Sequence, residues 1–270
     1  MNYHFTDVEI PAILFKHRNW EDVNDVEQFG RRILTEREIY FASPNQFNDP
    51  FDGSLPFKFK KEQMTLENVL KKLIEVFTRS HSNSPPEDII KMCLDRLKSA
   101  GFDSDKYWRD YHESFIKTVN DTFGLLSLTT RRDSILMWSH YSNSHQGYSV
   151  GLDTEVLFKS TPCQIWKVDY RNKFPEIDMF DKSPNDLIRI PCTKSEDWIY
   201  EDEVRILVYG ARSKITVQLE CIKQIILGCN MKQSNKEEIL EIKRKSFQHA
   251  ECFQTKINDE KFVLDFIPIS

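Results

Sequence analysis

Three short stretches of this 270-residue chain carry side chains suited to chemistry. One is Trp198-Ile199-Tyr200-Glu201-Asp202-Glu203-Val204-Arg205-Ile206. If it is extended, Glu201, Glu203 and Arg205 point to one face, and Val204, Ile206 and Val208 to the other. Two glutamates so spaced lie roughly 7 Å apart. At that distance they shift each other's pKa or share a partner, with Arg205 available to hold one of them ionised. The plainer reading is an edge strand with a solvated, charge-alternating face.

A second stretch joins Ser127, at the end of an apolar run, to Met137-Trp138-Ser139-His140-Tyr141. On a helix Met137 and Tyr141 share one face, and Leu136 and His140 the next. Trp138 then stacks on a planar ligand, or else Trp138 and Tyr141 are core aromatics and His140 a half-buried, satisfied histidine. The third stretch is Phe47-Asn48-Asp49-Pro50-Phe51-Asp52. Pro50 fixes its own φ and restrains Asp49 to extended geometry, so the loop is rigid. Asn48 and Asp49 either meet a ligand or bond their own backbone while Phe47 and Phe51 anchor the loop in the core.

The elements that must position these residues follow from periodicity. Strands are expected at Ala12–Lys16, Glu38–Ala42, Gly124–Leu128, Tyr148–Leu152, Ile165–Tyr170, Val204–Val208, Gln224–Leu227, Cys252–Ile257 and Phe262–Ile267. Helices are expected over Trp20–Phe29, Ser134–Tyr141 with Ser134 as cap, and Asn235–Lys245. Between Thr65 and Thr122 the apolar spacing turns helical. Leu66, Val69, Leu70, Leu73, Ile74 and Phe77 recur at three and four residues, and Ile89, Ile90, Cys93, Leu94 and Leu97 do so again. A third helix spans Tyr107–Phe123, with Gly101 as the stop before it. The expected fold is therefore α+β, a central mixed or antiparallel sheet in a single domain over residues 1–270, with 61–121 as a helical insertion.

Composition sets the outer bounds. A hydrophobic content of 40% is enough to bury a sizeable core. No run approaches the roughly 20 apolar residues that span a bilayer, and the N-terminus lacks a basic start and an apolar stretch. The expected location is cytoplasmic, with no membrane partner. Six cysteines stand singly, without a C-x-x-C pair or zinc spacing, and read as reduced buried side chains. A net charge of −5 argues against broad attraction to nucleic acid but leaves room for a local basic groove.

The order of these pieces resembles a large bacterial family catalogued among the domains of unknown function as family 2971. The resemblance is carried by Leu14-Phe15-Lys16-His17-Arg18, Ile39-Tyr40-Phe41-Ala42-Ser43-Pro44 leading into Phe47–Asp52, Leu126-Ser127-Leu128 leading into Met137–Tyr141 and Gly147, and Trp198–Arg205 followed by Ile225-Ile226-Leu227-Gly228. More distantly, the layout is similar to the ADP-ribosyltransferase fold, especially its DNA-modifying toxins. In that fold an early strand carries a basic or imidazole residue, a middle strand ends in serine or tyrosine, and a late strand carries glutamate. That likeness places Arg18 or His17 in the first role, Ser127 in the second and Glu203 in the third. The chain departs from the pattern in lacking a Gly-rich nicotinamide loop.

The resemblance implies a transferase that uses NAD in a bacterial defence or toxin setting, with a nucleic acid or a protein as acceptor. Catalysis then falls to Glu203, Ser127 and Arg18. Glu203 stabilises positive charge developing on the sugar, and Arg18 pairs with the pyrophosphate. The small nucleotide ligand is held by His17, Asn48, Asp49, Trp138, His140, Tyr141, Glu201 and Arg205. Two other classes compete. A metal-dependent phosphodiesterase or nuclease gathers Asp49, Asp52, His140, Glu201 and Glu203 around a divalent ion. A noncatalytic sensor uses the same clusters as a ligand pocket.

Overall fold

The computed structural model describes residues 9–21, 29–52, 58–59, 61–63, 65–100, 105–177, 180 and 188–270. The chain begins with β1 (Ile13–Arg18), α1 (Phe29–Thr35), β2 (Glu38–Phe41) and the short β3 (Lys58–Phe59). Helices α2 (Leu66–Ser80), α3 (Pro86–Ala100) and α4 (Asp105–Thr122) follow, and α4 passes directly into β4 (Phe123–Thr129). Next come α5 (Ile135–Tyr141), β5 (Tyr148–Asp153), α6 (Thr154–Ser160), β6 (Gln164–Lys167), β7 (Asp169–Arg171) and β8 (Glu176–Ile177). The last part holds β9 (Thr193–Ser195), a 3₁₀ turn at Glu196–Glu201, β10 (Glu203–Tyr209), β11 (Ser213–Thr216), β12 (Ile222–Leu227), α7 (Gln233–Ser246), β13 (Glu251–Ile257) and β14 (Leu264–Pro268). Among the described residues no helix is long and apolar enough to cross a membrane.

Eight strands form one mixed sheet in the order β14-β13-β12-β5-β1-β4-β10-β6. Neighbours are antiparallel except β12 and β13, which run parallel on either side of α7. The architecture is thus α+β with a large mixed sheet. Residues facing each other across antiparallel strands share a sheet face. Val204 lies opposite Leu128 and Ile206 opposite Leu126, and this face packs with Leu14, Val150, Ile225, Ile33 and Ile239 in the main core. Each such aliphatic side chain stabilises the fold by roughly 1.5–3 kcal/mol when fully buried.

The other face of the β4–β10 pair changes character along its length. At one end Phe123, Leu125 and Leu207 pack with Val119 of α4. Two and four residues further on, Ser127 lies opposite Arg205 and Thr129 opposite Glu203. The strand alternation that makes one face wholly apolar therefore delivers these polar groups together at the other end of the opposite face.

Along its far side, β4 is paired only in part. It meets β1 at a single position, Phe15 opposite Thr129, and near its start Leu125 instead exchanges two backbone hydrogen bonds with Ala42, just past β2. Strands β1 and β4 therefore part between these points and leave an opening in the sheet. The chain after α5 closes tightly on β1. A Cβ at Gly147 would lie 2.1 Å from the Arg18 carbonyl oxygen, so only glycine fits there.

Several sequence expectations need correction. The single strand expected over Ile165–Tyr170 is two, because Val168 breaks it: β6 pairs with β10 while β7 joins β9. In the helix expected over Trp20–Phe29, residues 22–28 lie outside the described residues. The described helix runs Phe29–Thr35, and Trp20 precedes it as a core residue 1% exposed. Gly101 also lies outside the described residues. Ser134 caps α5 as expected, accepting a hydrogen bond from the Met137 amide.

Candidate functional site

A cavity of about 650 Å³ occupies the opening between β1 and β4. Lys16, His17 and Arg18 line it from β1, and Ser127 and Thr129 from β4. Asn48 and Asp52 reach it from the proline loop, His140 and Tyr141 from α5, and Lys194, Glu201 and Glu203 from the third side. That volume falls in the roughly 300–1,000 Å³ range of small-molecule sites.

Its floor is a closed network of buried charges. Arg205, 0% exposed, grips Asp52 through two contacts, Nη1–Oδ1 at 2.7 Å and Nη2–Oδ2 at 2.6 Å. The same guanidinium holds Glu203 through Nε–Oε1 at 2.8 Å and Nη2–Oε2 at 3.0 Å, and the Phe47 ring lies 5.0 Å from it. Only the planar fork of arginine can serve two carboxylates bidentately in this way. The Lys194 amine completes the set, 2.5 Å from Glu201 and 3.4 Å from both Glu203 and Asp52, with the Trp198 ring 4.8 Å away. Tyr141 donates to Glu201 at 2.6 Å. Three carboxylates face two cations, so the fully ionised floor carries one excess negative charge.

The two glutamates are driven in opposite directions. Burial raises the Glu203 pKa, but the adjoining Arg205 and Lys194 charges and a hydrogen bond with Ser127 outweigh it and hold Glu203 down at about 2. For Glu201 burial wins. With Glu203 adding repulsion, its pKa stands above the usual carboxylate value despite Lys194 and Tyr141. Burial works against the charge of Lys194, yet Glu203, Asp52 and Glu201 together keep its pKa raised. One acid is thus firmly ionised and its neighbour is the one poised to take a proton, a separation of roles typical of acid–base sites.

This geometry changes how several sequence-predicted residues are understood. Glu201, Glu203 and Arg205 do not share one extended strand: Glu201 ends a 3₁₀ turn, Asp202 is left-handed at φ 41°, and β10 starts only at Glu203. The two acids converge because Lys194 bridges them, not because of a strand repeat. Nor is β10 a solvated edge. It lies between β4 and β6, with Glu203 3% exposed. Arg205 is spent on Asp52 and Glu203, so it positions acids and is not a ligand contact. Trp138 is 0% exposed and donates its indole N–H to the Arg132 carbonyl, which removes it as a stacking surface for a ligand.

Around the rim the placements vary. His140 is exposed, its Nδ1 2.8 Å from the Tyr200 hydroxyl. Asp49 accepts from the Phe51 amide at 2.9 Å, the self-bonding turn alternative, and does not line the cavity. Asn48 does line it. Phe47 packs against a core cluster, but Phe51 is 53% exposed and anchors nothing in the core. His17 is buried against the edge of Trp138, with ring centroids 4.9 Å apart.

Sequence reasoning missed Lys194 and Lys16. Lys194 comes from β9, whose parallel pairing with β7 leaves no spacing signal. Asp52, considered only as a metal ligand, instead completes the Arg205 clamp. A divalent ion wants several free carboxylate oxygens. Here the oxygens of Asp52, Glu201 and Glu203 already face Arg205, Lys194 and Tyr141, so this donor set does not fit a metal centre.

Residues 137–206 match the sequence profile of a family described as a protein of unknown function, DUF2971. This quarter of the chain runs from α5 into β10 and includes Tyr141, Lys194, Glu201, Glu203 and Arg205. No curated protein and no solved structure matches the chain.

Proposed function

We propose that the cleft binds NAD and transfers its ADP-ribosyl group to an acceptor that is a nucleic acid or a protein. The observation that carries this reading is Glu203, buried and yet held ionised, at the floor of a cavity of small-molecule size. Breaking the bond between nicotinamide and ribose develops positive charge on the sugar, and a fixed carboxylate in a water-poor site opposes that charge strongly. Arg18, on the facing wall, is the group for the pyrophosphate, since guanidinium pairs bidentately with phosphate oxygens. Ser127 steadies Glu203 from β4. The raised pKa of Glu201 suits it to exchange a proton with the departing or incoming group.

The test is nicotinamide release from NAD, with DNA and protein mixtures as acceptors, by the wild-type chain and by Glu203→Gln. Loss of one preorganised electrostatic group is expected to lower turnover by about 10²–10³-fold. Turnover that survives in Glu203→Gln discards the assignment. A melting temperature that rises with NAD while nicotinamide is never released identifies a binding module.

A further inference from the structure

The two lysines of the cleft stand in opposite surroundings. Lys194 has three carboxylates within 3.4 Å. Lys16, on the facing wall, has no ion pair among the described residues, and its amine donates to the Ser127 backbone carbonyl at 2.6 Å. An ammonium has three N–H donors to satisfy. The single carbonyl suits the neutral amine better, because one N–H is anchored while the lone pair is left for the cavity.

The electrostatics agree with that geometry. Burial pushes the Lys16 pKa well below its ordinary value, and Arg18 two residues along the strand pushes it further; Glu203 and Glu201 oppose this and Arg205 assists it. Desolvation beside another cation is a recognised way to turn lysine into a nucleophile at neutral pH. The amine lines the same 650 Å³ cavity as Asn48, Tyr141 and Glu201, whose amide, hydroxyl and carboxyl suit the hydroxyls of a sugar.

We propose that Lys16 is a nucleophilic amine that condenses with the aldehyde carbon of a reducing sugar bound in the cleft. The nitrogen lone pair attacks the carbonyl carbon, and the C=O π pair moves to oxygen, which takes a proton. The nitrogen gives up one proton to leave a neutral carbinolamine. Its hydroxyl takes a second proton and departs as water as the nitrogen lone pair forms the C=N bond. The nitrogen then loses its remaining proton, so amine and aldehyde give an imine and one water with no oxidation or reduction. Open-chain aldoses present this carbon, and a sugar phosphate adds an anion for the Arg18 guanidinium on the same wall. The inference does not rest on NAD chemistry: a chain that forms the imine but never consumes NAD keeps this proposal and loses the other.

The experiment uses the full chain with ribose 5-phosphate as probe, sodium borohydride to reduce the imine to a stable secondary amine, and peptide mass analysis. At pH 7 the adduct is expected on Lys16 at least about tenfold above that on Lys71, whose side chain is 68% exposed. Ribitol 5-phosphate, which lacks the aldehyde, gives none. The adduct is expected to vanish from this position in Lys16→Arg, and its yield in the wild type to reach half-maximum below the ordinary lysine value of 10.5. Should Lys16→Arg fail to fold, the wild-type comparison of Lys16 with Lys71 still decides. Equal labelling of the two lysines, or a Lys16 profile at the ordinary value, overturns the proposal. Trapping with glycolaldehyde but not with ribose 5-phosphate overturns the sugar assignment.

Discussion

In the floor of the cleft Asp52, Lys194, Glu203 and Arg205 are each no more than 5% exposed. In the α2–α3 hairpin Leu66 is 70% exposed, Ile90 49%, Val76 48% and Leu94 44%. Charges are buried where apolar side chains would ordinarily be, and apolar side chains face outward where charges would be expected. The hairpin owes its form to local pattern. Each helix turns a stripe toward the other, burying Val69, Ile89 and Cys93, and among the described residues that contact is its principal one. The floor owes its form to segments far apart in the chain, since Arg205 reaches Asp52 across a sequence separation of 153 and Tyr141 reaches Glu201 across 60. The lesson is that buried polarity here reflects position in the tertiary structure, and an amphipathic stripe reports only that a helix has a partner.

That contrast breaks most readily at Arg205. Removing one partner of a buried charge network leaves the others uncompensated, so Arg205→Met is expected to destabilise the chain by about 3–5 kcal/mol in urea unfolding. A loss below about 1 kcal/mol shows that Asp52 and Glu203 reach water without it.

A smaller effect concerns His17, which is buried with neither ring nitrogen bonded among the described residues. Burial lowers its pKa from 6.5 to about 3. A base whose folded pKa is depressed contributes its stability fully above the unfolded value. As pH falls below 6.5 the unfolded chain takes up the proton first, and stability drops by up to about 1.4 kcal/mol per pH unit until pH about 3. His17→Phe is expected to flatten that part of the stability profile, leaving about 2 kcal/mol less acid loss between pH 6.5 and 5. Parallel profiles for the two proteins place the wild-type His17 pKa near its ordinary value.

The smallest effect belongs to the hairpin. Ile90→Ser on the outward face of α3 is expected to change stability by no more than about 0.5 kcal/mol, as substitutions away from packed features do. A loss above about 1 kcal/mol, read by the same unfolding assay, means that something covers this face and the contrast with the floor is weaker than it stands.

Much of the fold was legible in the residues. The alternation in Leu126, Leu128, Val204 and Ile206 announced strands with one apolar face, and Ser134 announced the start of α5. The candidate site was legible only as separate pieces. Trp138 stays open in the sequence between ligand platform and core aromatic, because a tryptophan beside His140 and Tyr141 looks the same whether it faces a cleft or the core, and the structure buries it. Glu201 was placed on the strand of Glu203 because nothing in the residue types reveals the left-handed turn at Asp202. Lys16 and Lys194 went unnoticed for a different reason: a lysine acquires meaning from the charges around it, and those come from elsewhere in the chain.

By itself the sequence determined the local properties, namely the periodicity of most strands and helices and which of their faces are apolar, since these depend on dihedral preference and on side-chain period within a few residues. Tertiary structure alone decided that β1 and β4 part to open a cavity, that Asp52 reaches Arg205, and that one glutamate of the pair is held ionised while burial raises the pKa of its neighbour. Burial and Coulomb interaction act through space, and the distances that set them do not exist until the separated strands are brought together.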